Sequence, residues 1–135
     1  MSGIIETTSE SFKKDVLDVE GIVILEFFSH SCPHCKRFGP IYGHLGEVLK
    51  NKARFVKIDV LLNEDNRRLA LERGIKGVPT IEVFYHGRVI GSIVGHHPFK
   101  IILKGIEEFM TEKDQYVGPN TPIHELQFET SVVGG

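Results

Sequence analysis

The chain has 135 residues, enough for one domain with one core and too few for two ordinary ones. Hydrophobic residues at 41% and charged residues at 25% match the composition of globular chains. The net charge of −2, with no Lys/Arg run longer than two residues, argues against a nucleic-acid partner. The longest apolar stretch, Gly21 to Phe28, is too short to span a bilayer. No basic segment leading into an apolar one is visible at the N-terminus, so a cytoplasmic location without membrane association is expected.

Taken in chain order, Ile4 and Ile5 open a short edge strand. Ser9 then reads as an N-cap, followed by Phe12, Val16 and Val19 at helical spacing, with Gly21 as the stop. Ile22-Val23-Ile24-Leu25-Glu26-Phe27-Phe28 is β-branched and aromatic without alternation, which predicts a central strand buried on both faces. Phe38, Ile41, Tyr42, Leu45, Val48 and Leu49 mark one face of a helix that contains Pro40. Phe55 to Val60 reads as the next strand, and Asn63 or Asp65 as the cap of a helix ending at Gly74. Thr80–Tyr85 and Val89–Val94 flank His86-Gly87-Arg88 and predict a hairpin. Pro98 opens a last helix with Ile102, Ile106 and Phe109 inward. The order βαβαβα followed by ββα predicts an α/β fold, a parallel core extended by antiparallel strands. Residues 1–110 are read as this domain and 111–135 as a C-terminal extension. Within it, residues 123–133 are open to two readings, a flexible tail and an extra strand.

The two cysteines of the chain, Cys32 and Cys35, lie three positions apart in Cys-Pro-His-Cys. A disulfide between them closes almost no loop, so the pair has little architectural value and points to redox chemistry. The motif stands between a buried strand and a helix start, where unpaired N–H groups and the positive end of the helix dipole stabilise a thiolate. Cys32 at the cap is therefore the expected nucleophile, and Cys35, one turn further in, the shielded resolving thiol. His34 in the first turn is positioned to add positive charge or a hydrogen bond to the sulfur. Glu26 is a carboxylate inside a doubly buried strand, where desolvation favours the neutral acid and suits it to proton transfer. Lys57 on the next strand reads equally as its partner or as a surface lysine. Pattern alone favours a trans bond at Val78–Pro79.

Glu26-Phe27-Phe28, Cys32-Pro33-His34-Cys35-Lys36, Pro40, Lys57, Gly74-Ile75-Lys76-Gly77-Val78-Pro79-Thr80, Gly87 and Gly95 together closely resemble thioredoxin, over roughly Ile4 to Met110. The resemblance implies the thioredoxin fold, a central mixed five-stranded sheet flanked by four helices. It implies that Pro79 is cis and faces the cysteines. It implies too that Val78 offers its backbone to an extended substrate, and that Glu26 and Lys57 assist proton transfer at Cys35. Ser31 stands where thioredoxins usually carry Trp, and Pro33-His34 where they carry Gly-Pro. Pro-His is similar instead to periplasmic disulfide oxidases, whose inserted helical domain has no room here.

The function that follows is thiol–disulfide exchange on protein disulfides in the direction of reduction. Its catalytic residues are Cys32, Cys35, Glu26, Lys57 and His34, and its substrate groove comprises Pro33, Val78, Pro79 and Gly95. No cofactor or metal is required, but a reductase must recycle the pair, and a monomer is expected. Two alternatives stand beside it. One is oxidant or isomerase exchange, favoured by His34 because a stabilised thiolate makes the pair more oxidising. The other is a Cys/His metal-binding interaction module drawing on His30, His34, His96 and His97.

Overall fold

The apolar run Ile22–Phe28 forms strand β2, and all seven of its residues are buried. A computed structural model describes residues 3–115, 124–127 and 131–132. It places β2 between β3 (Arg54–Asp59), to which it runs parallel, and β5 (Thr80–Tyr85), to which it runs antiparallel. On the far side of β3 lies β1 (Ile5–Thr7), parallel to it. On the far side of β5 lies β6 (Arg88–Val94), antiparallel to it. A mixed sheet in the order β1-β3-β2-β5-β6 results, with a π-helical turn at Lys13–Leu17 and the helices α1 (Pro33–Val48), α2 (Glu64–Glu72) and α3 (Phe99–Thr111) around it, and a short 3-10 turn at Lys113–Gln115 after α3. This is the thioredoxin fold expected above.

Alternate side chains of a strand point to opposite faces, and β2 uses both. Val23, Leu25 and Phe27 enter a core with Phe12, Val16 and Ala70, beneath the π-helical turn and α2. Ile22 and Ile24 enter a second core with Phe38, Tyr42 and Leu45 of α1 and Ile102 and Ile106 of α3. Glu26 continues the even-numbered set, so its carboxylate belongs to the face covered by α1. Tyr42 is fixed there by its hydroxyl, 2.9 Å from the Ile24 carbonyl and 2.6 Å from that of Val56.

Local details differ from the sequence reading in two places. Ser9 does not cap a helix. Its N–H is taken by Oδ1 of buried Asn66 at 2.9 Å, while the Ser11 N–H closes a turn on Thr8, so the helical turn starts after Phe12. Pro98 is the N-cap of α3 rather than its first residue. Elsewhere the expected chemistry operates. Asn63 caps α2 by accepting from the Asn66 N–H at 2.8 Å, and His86 (φ 51°) and Gly87 (φ 79°) form the two-residue turn between β5 and β6.

Two segments of the C-terminal extension pair with the body. Strand β7 (His124–Gln127) runs parallel to β6 as a sixth strand of the sheet. Strand β8 (Ser131–Val132) runs antiparallel to β4 (Gly77–Val78), just ahead of Pro79. Among the described residues no helix is long and apolar enough to cross a membrane.

Gly91 on β6 lies under Phe109 of α3, where a Cβ would sit 2.4 Å from the ring. Gly91→Ala should therefore cost about 1–3 kcal/mol through overpacking. Chemical denaturation would measure it as a lowered midpoint with an unchanged slope.

Candidate active site

Strand β2 ends at Phe28, and four residues later Cys32 is the N-cap of α1, with extended backbone (φ −84°, ψ 120°) and Pro33 in the first helical position. Proline suits that place because its missing N–H would be unpaired there anyway. The turn is tied by the Cys32 N–H to the Ser29 carbonyl at 3.1 Å, and the helix begins with the Lys36 N–H on the Cys32 carbonyl at 3.0 Å. Ser31, in the place of the family's Trp, has its N–H 3.3 Å from Ser29 Oγ, and the two hydroxyls lie 3.0 Å apart.

The cap is made by sulfur. The Cys35 N–H donates to Cys32 Sγ at 3.2 Å, so an orphan donor of the first turn points at the sulfur. Both side chains are buried and not joined in a disulfide. Cys32 Sγ lies 3.9 Å from the Val78 carbonyl, which brings the Val78–Pro79 segment against that sulfur. The Val78–Pro79 bond is cis, where pattern alone favours trans. Gly95, with φ 97°, donates its N–H to the Pro79 carbonyl at 2.8 Å, and Thr80 Oγ1 donates to the Gly77 carbonyl at 2.7 Å. The first bond holds the loop against the end of β6, and the second closes the loop on itself.

Behind the cysteines a cavity of about 170 Å³ is lined by Glu26, Ser29, His30, Cys35 and Lys57, among others. Burial drives the Glu26 carboxyl up from its ordinary 4.5 to about 8, opposed by the charge of Lys57. The two residues are register partners across β2 and β3, which fixes the pair as neighbours. Lys57 Nζ also sits 5.1 Å from the Phe28 ring centre, a cation–π contact. Burial likewise pushes the Cys35 thiol far above its ordinary range. Its hydrogen bond with Cys32 adds to the rise, and a bond with the Ser29 backbone opposes it. The site thus holds one thiol at a helix N-terminus, and a second, reluctant to ionise, that shares a cavity with a carboxyl group titrating near neutrality.

The histidines separate. His34 accepts at Nδ1 from the Arg37 guanidinium at 2.6 Å, a contact the i,i+3 spacing could have signalled. With Arg37 as the obligatory donor, the remaining ring proton of a neutral His34 lies on Nε2. His30 faces Glu6 at 3.5 Å and Asp59 at 3.8 Å, His96 stands edge-on to Phe38, and His97 is buried against the Val94 carbonyl at 3.2 Å. Among the described residues no three His, Cys, Asp or Glu side chains converge for a metal ion.

Two further polar features escaped the sequence reading. Ser29 supplies backbone to both cysteines. Arg73 pairs with the buried Glu82 at 3.2 Å while lying over the Phe12 and Phe84 rings, so it is structural support for the other face of the sheet.

Residues 3–108 match the family model described as Thioredoxin. Thioredoxin C-2 of Corynebacterium nephridii is 35% identical over 95 residues, covering 70% of this chain and 85% of that protein. Thioredoxin of Chlorobaculum thiosulfatiphilum is 30% identical over 103 residues, covering 76% and 93% respectively. Protein disulfide-isomerase 2-3 of Arabidopsis thaliana is 37% identical over 87 residues, which span 64% of this chain but only 19% of the plant protein.

Because the folded Glu26 binds a proton that the unfolded chain releases between its ordinary 4.5 and about 8, stability should fall as pH rises through that window. Glu26→Gln should be close to neutral below pH 4 and increasingly stabilising above it, by up to ~3 kcal/mol at pH 7. Urea unfolding at several pH values would show the gap between the two proteins opening with pH.

Proposed function

The chain belongs to the thioredoxin family, and we propose that it is a thiol–disulfide oxidoreductase that reduces protein disulfides through Cys32 and Cys35. The observation that carries this reading is the Cys35 N–H on Cys32 Sγ at the helix N-cap, beside the Val78 carbonyl. It sets the Cys32 sulfur beneath an N–H of the helix start and next to a strand-type carbonyl.

In the first step the Cys32 thiolate attacks one sulfur of a substrate disulfide. A mixed disulfide forms and the other substrate sulfur leaves as a thiolate, which takes up a proton. In the second step Cys35 loses its proton and attacks Cys32 Sγ, releasing the second substrate thiol. The substrate has gained two electrons and two protons, and the protein retains a Cys32–Cys35 disulfide. An external dithiol reductase returns the electrons, which suits a reducing compartment such as the cytoplasm.

Burial makes Cys35 a poor acid, so the second step needs a base. Glu26 opens on the same cavity as Cys35 and serves as that base when ionised, with water as the carrier and Lys57 favouring the carboxylate. His34 and Pro33 border the nucleophile, with His34 contributing through its ring and its Arg37 contact. Val78, Pro79 and Gly95 form the groove that takes an extended substrate by backbone pairing. The relatives named above carry thioredoxin and disulfide-isomerase titles, and reduction is the reading favoured because the longer-covered matches are thioredoxins.

Cys32→Ser should abolish disulfide turnover, whereas Cys35→Ser should accumulate a stable mixed disulfide with substrate, visible by non-reducing electrophoresis. Substantial turnover by Cys32→Ser would remove Cys32 from its role. In the wild type, release of the second thiol should accelerate as pH rises through about 8, where Glu26 ionises. Glu26→Gln should slow that step and flatten the rise, read by single-turnover quench at several pH values.

A further inference from the structure

The backbone of Gly77–Val78 is already paired. Ser131 lies opposite Val78 and Val132 opposite Gly77, in antiparallel register. The same Val78 presents its carbonyl 3.9 Å from Cys32 Sγ. A strand added at this edge occupies the place that an extended substrate needs when its disulfide approaches Cys32.

The route of the chain to that place is built into the sheet. Strand β7 runs parallel to β6, with His124 opposite Gly91 and Gln127 opposite Val94. It therefore travels toward the end of β6 at Gly95, whose N–H is bonded to the Pro79 carbonyl. From Gln127 to Ser131 is four residues, a reach of at most about 14 Å. The sixth strand thus heads toward the edge beside Pro79 where Ser131–Val132 pair. No cysteine lies beyond Cys35, so the paired segment offers Cys32 nothing to attack.

We propose that residues 131–132 are a built-in, cysteine-free occupant of the substrate groove, competing with extended protein substrates for the Gly77–Val78 edge. The inference rests on the reading of this edge as a strand-addition site. Its consequence is specific. An intramolecular competitor lowers the fraction of open groove, so the apparent KM rises by one plus the docking equilibrium constant while kcat is untouched. Small disulfides that need no strand pairing escape the competition.

The test compares the full-length protein with the full-length double variant Ser131→Pro/Val132→Pro. Proline removes the backbone N–H groups that a two-residue strand donates. With insulin as the protein disulfide and dithiothreitol as electron donor, the variant should show KM reduced by about fivefold at unchanged kcat, as expected for docking by one or two backbone bonds. Turnover of hydroxyethyl disulfide should be equal in the two proteins. Equal KM values for insulin, with both disulfides turned over, would overturn the proposal and leave the oxidoreductase reading intact. A wild-type dimer on gel filtration that the variant lacks would also overturn it, by assigning the strand to a second copy. If neither protein turned over either disulfide, the oxidoreductase reading would fail. Hydrogen exchange would then decide the docking: protection at Gly77–Val78 in the wild type and its loss in the variant supports it, and equal exchange removes it.

Discussion

Burying β2 on both faces is the constraint from which the site follows. A strand with no solvent face must be covered by helices on both sides, and the chain leaves its end directly into α1 to supply one of them. That exit places Cys32 at the helix cap, where its sulfur takes the Cys35 N–H. It also carries Glu26 into the α1-facing core, where a charge is costly unless water and Lys57 reach it. Cys32, Cys35 and Glu26, the residues proposed above as nucleophile, resolving thiol and proton acceptor, are thus set by one strand and the first turn of one helix.

The opposite wall of the site comes from a distant part of the sequence. Gly77–Val78, Pro79 and Gly95 are held by the β5–β6 hairpin, whose Thr80 and Val94 are register partners. The hairpin depends in turn on the α3 packing over Gly91. The wall is therefore tied in place where it meets Cys32, and the edge it presents at Gly77–Val78 is backbone, the kind that pairs with strands of unrelated sequence. A backbone edge of this kind pairs with any extended segment held nearby, the chain's own Ser131–Val132 included.

Much of this was legible in the sequence because it is written in local patterns. The unbroken apolar run at Ile22–Phe28, the Cys-Pro-His-Cys spacing ahead of a helical face, and the glycine between two strands each encode structure within a few residues. The places that escaped depend on distant partners. Ser9 was misread as a cap because its N–H is claimed by Asn66, which lies across the fold. Lys57 was undecided between partner and surface residue until the β2–β3 register set it opposite Glu26. The histidines looked like one cluster along the chain, yet each is engaged by a different neighbour: Glu6, Arg37, Phe38 or a backbone carbonyl. The pairings of β7 and β8 have no local signature strong enough to separate a strand from a tail.

The claim that the cysteine pair works as a reductant is tested most directly by its reduction potential. The measurement is equilibration with dithiothreitol or glutathione buffers, with the thiols trapped by alkylation and weighed by mass spectrometry, since the chain has no tryptophan to report the change. A value near about −270 mV, that of a reducing thioredoxin-type pair, is the predicted result. A value near about −180 mV or higher would contradict it, and would mean that the Pro33-His34 dipeptide stabilises the reduced pair enough to turn the same geometry into an oxidant or isomerase.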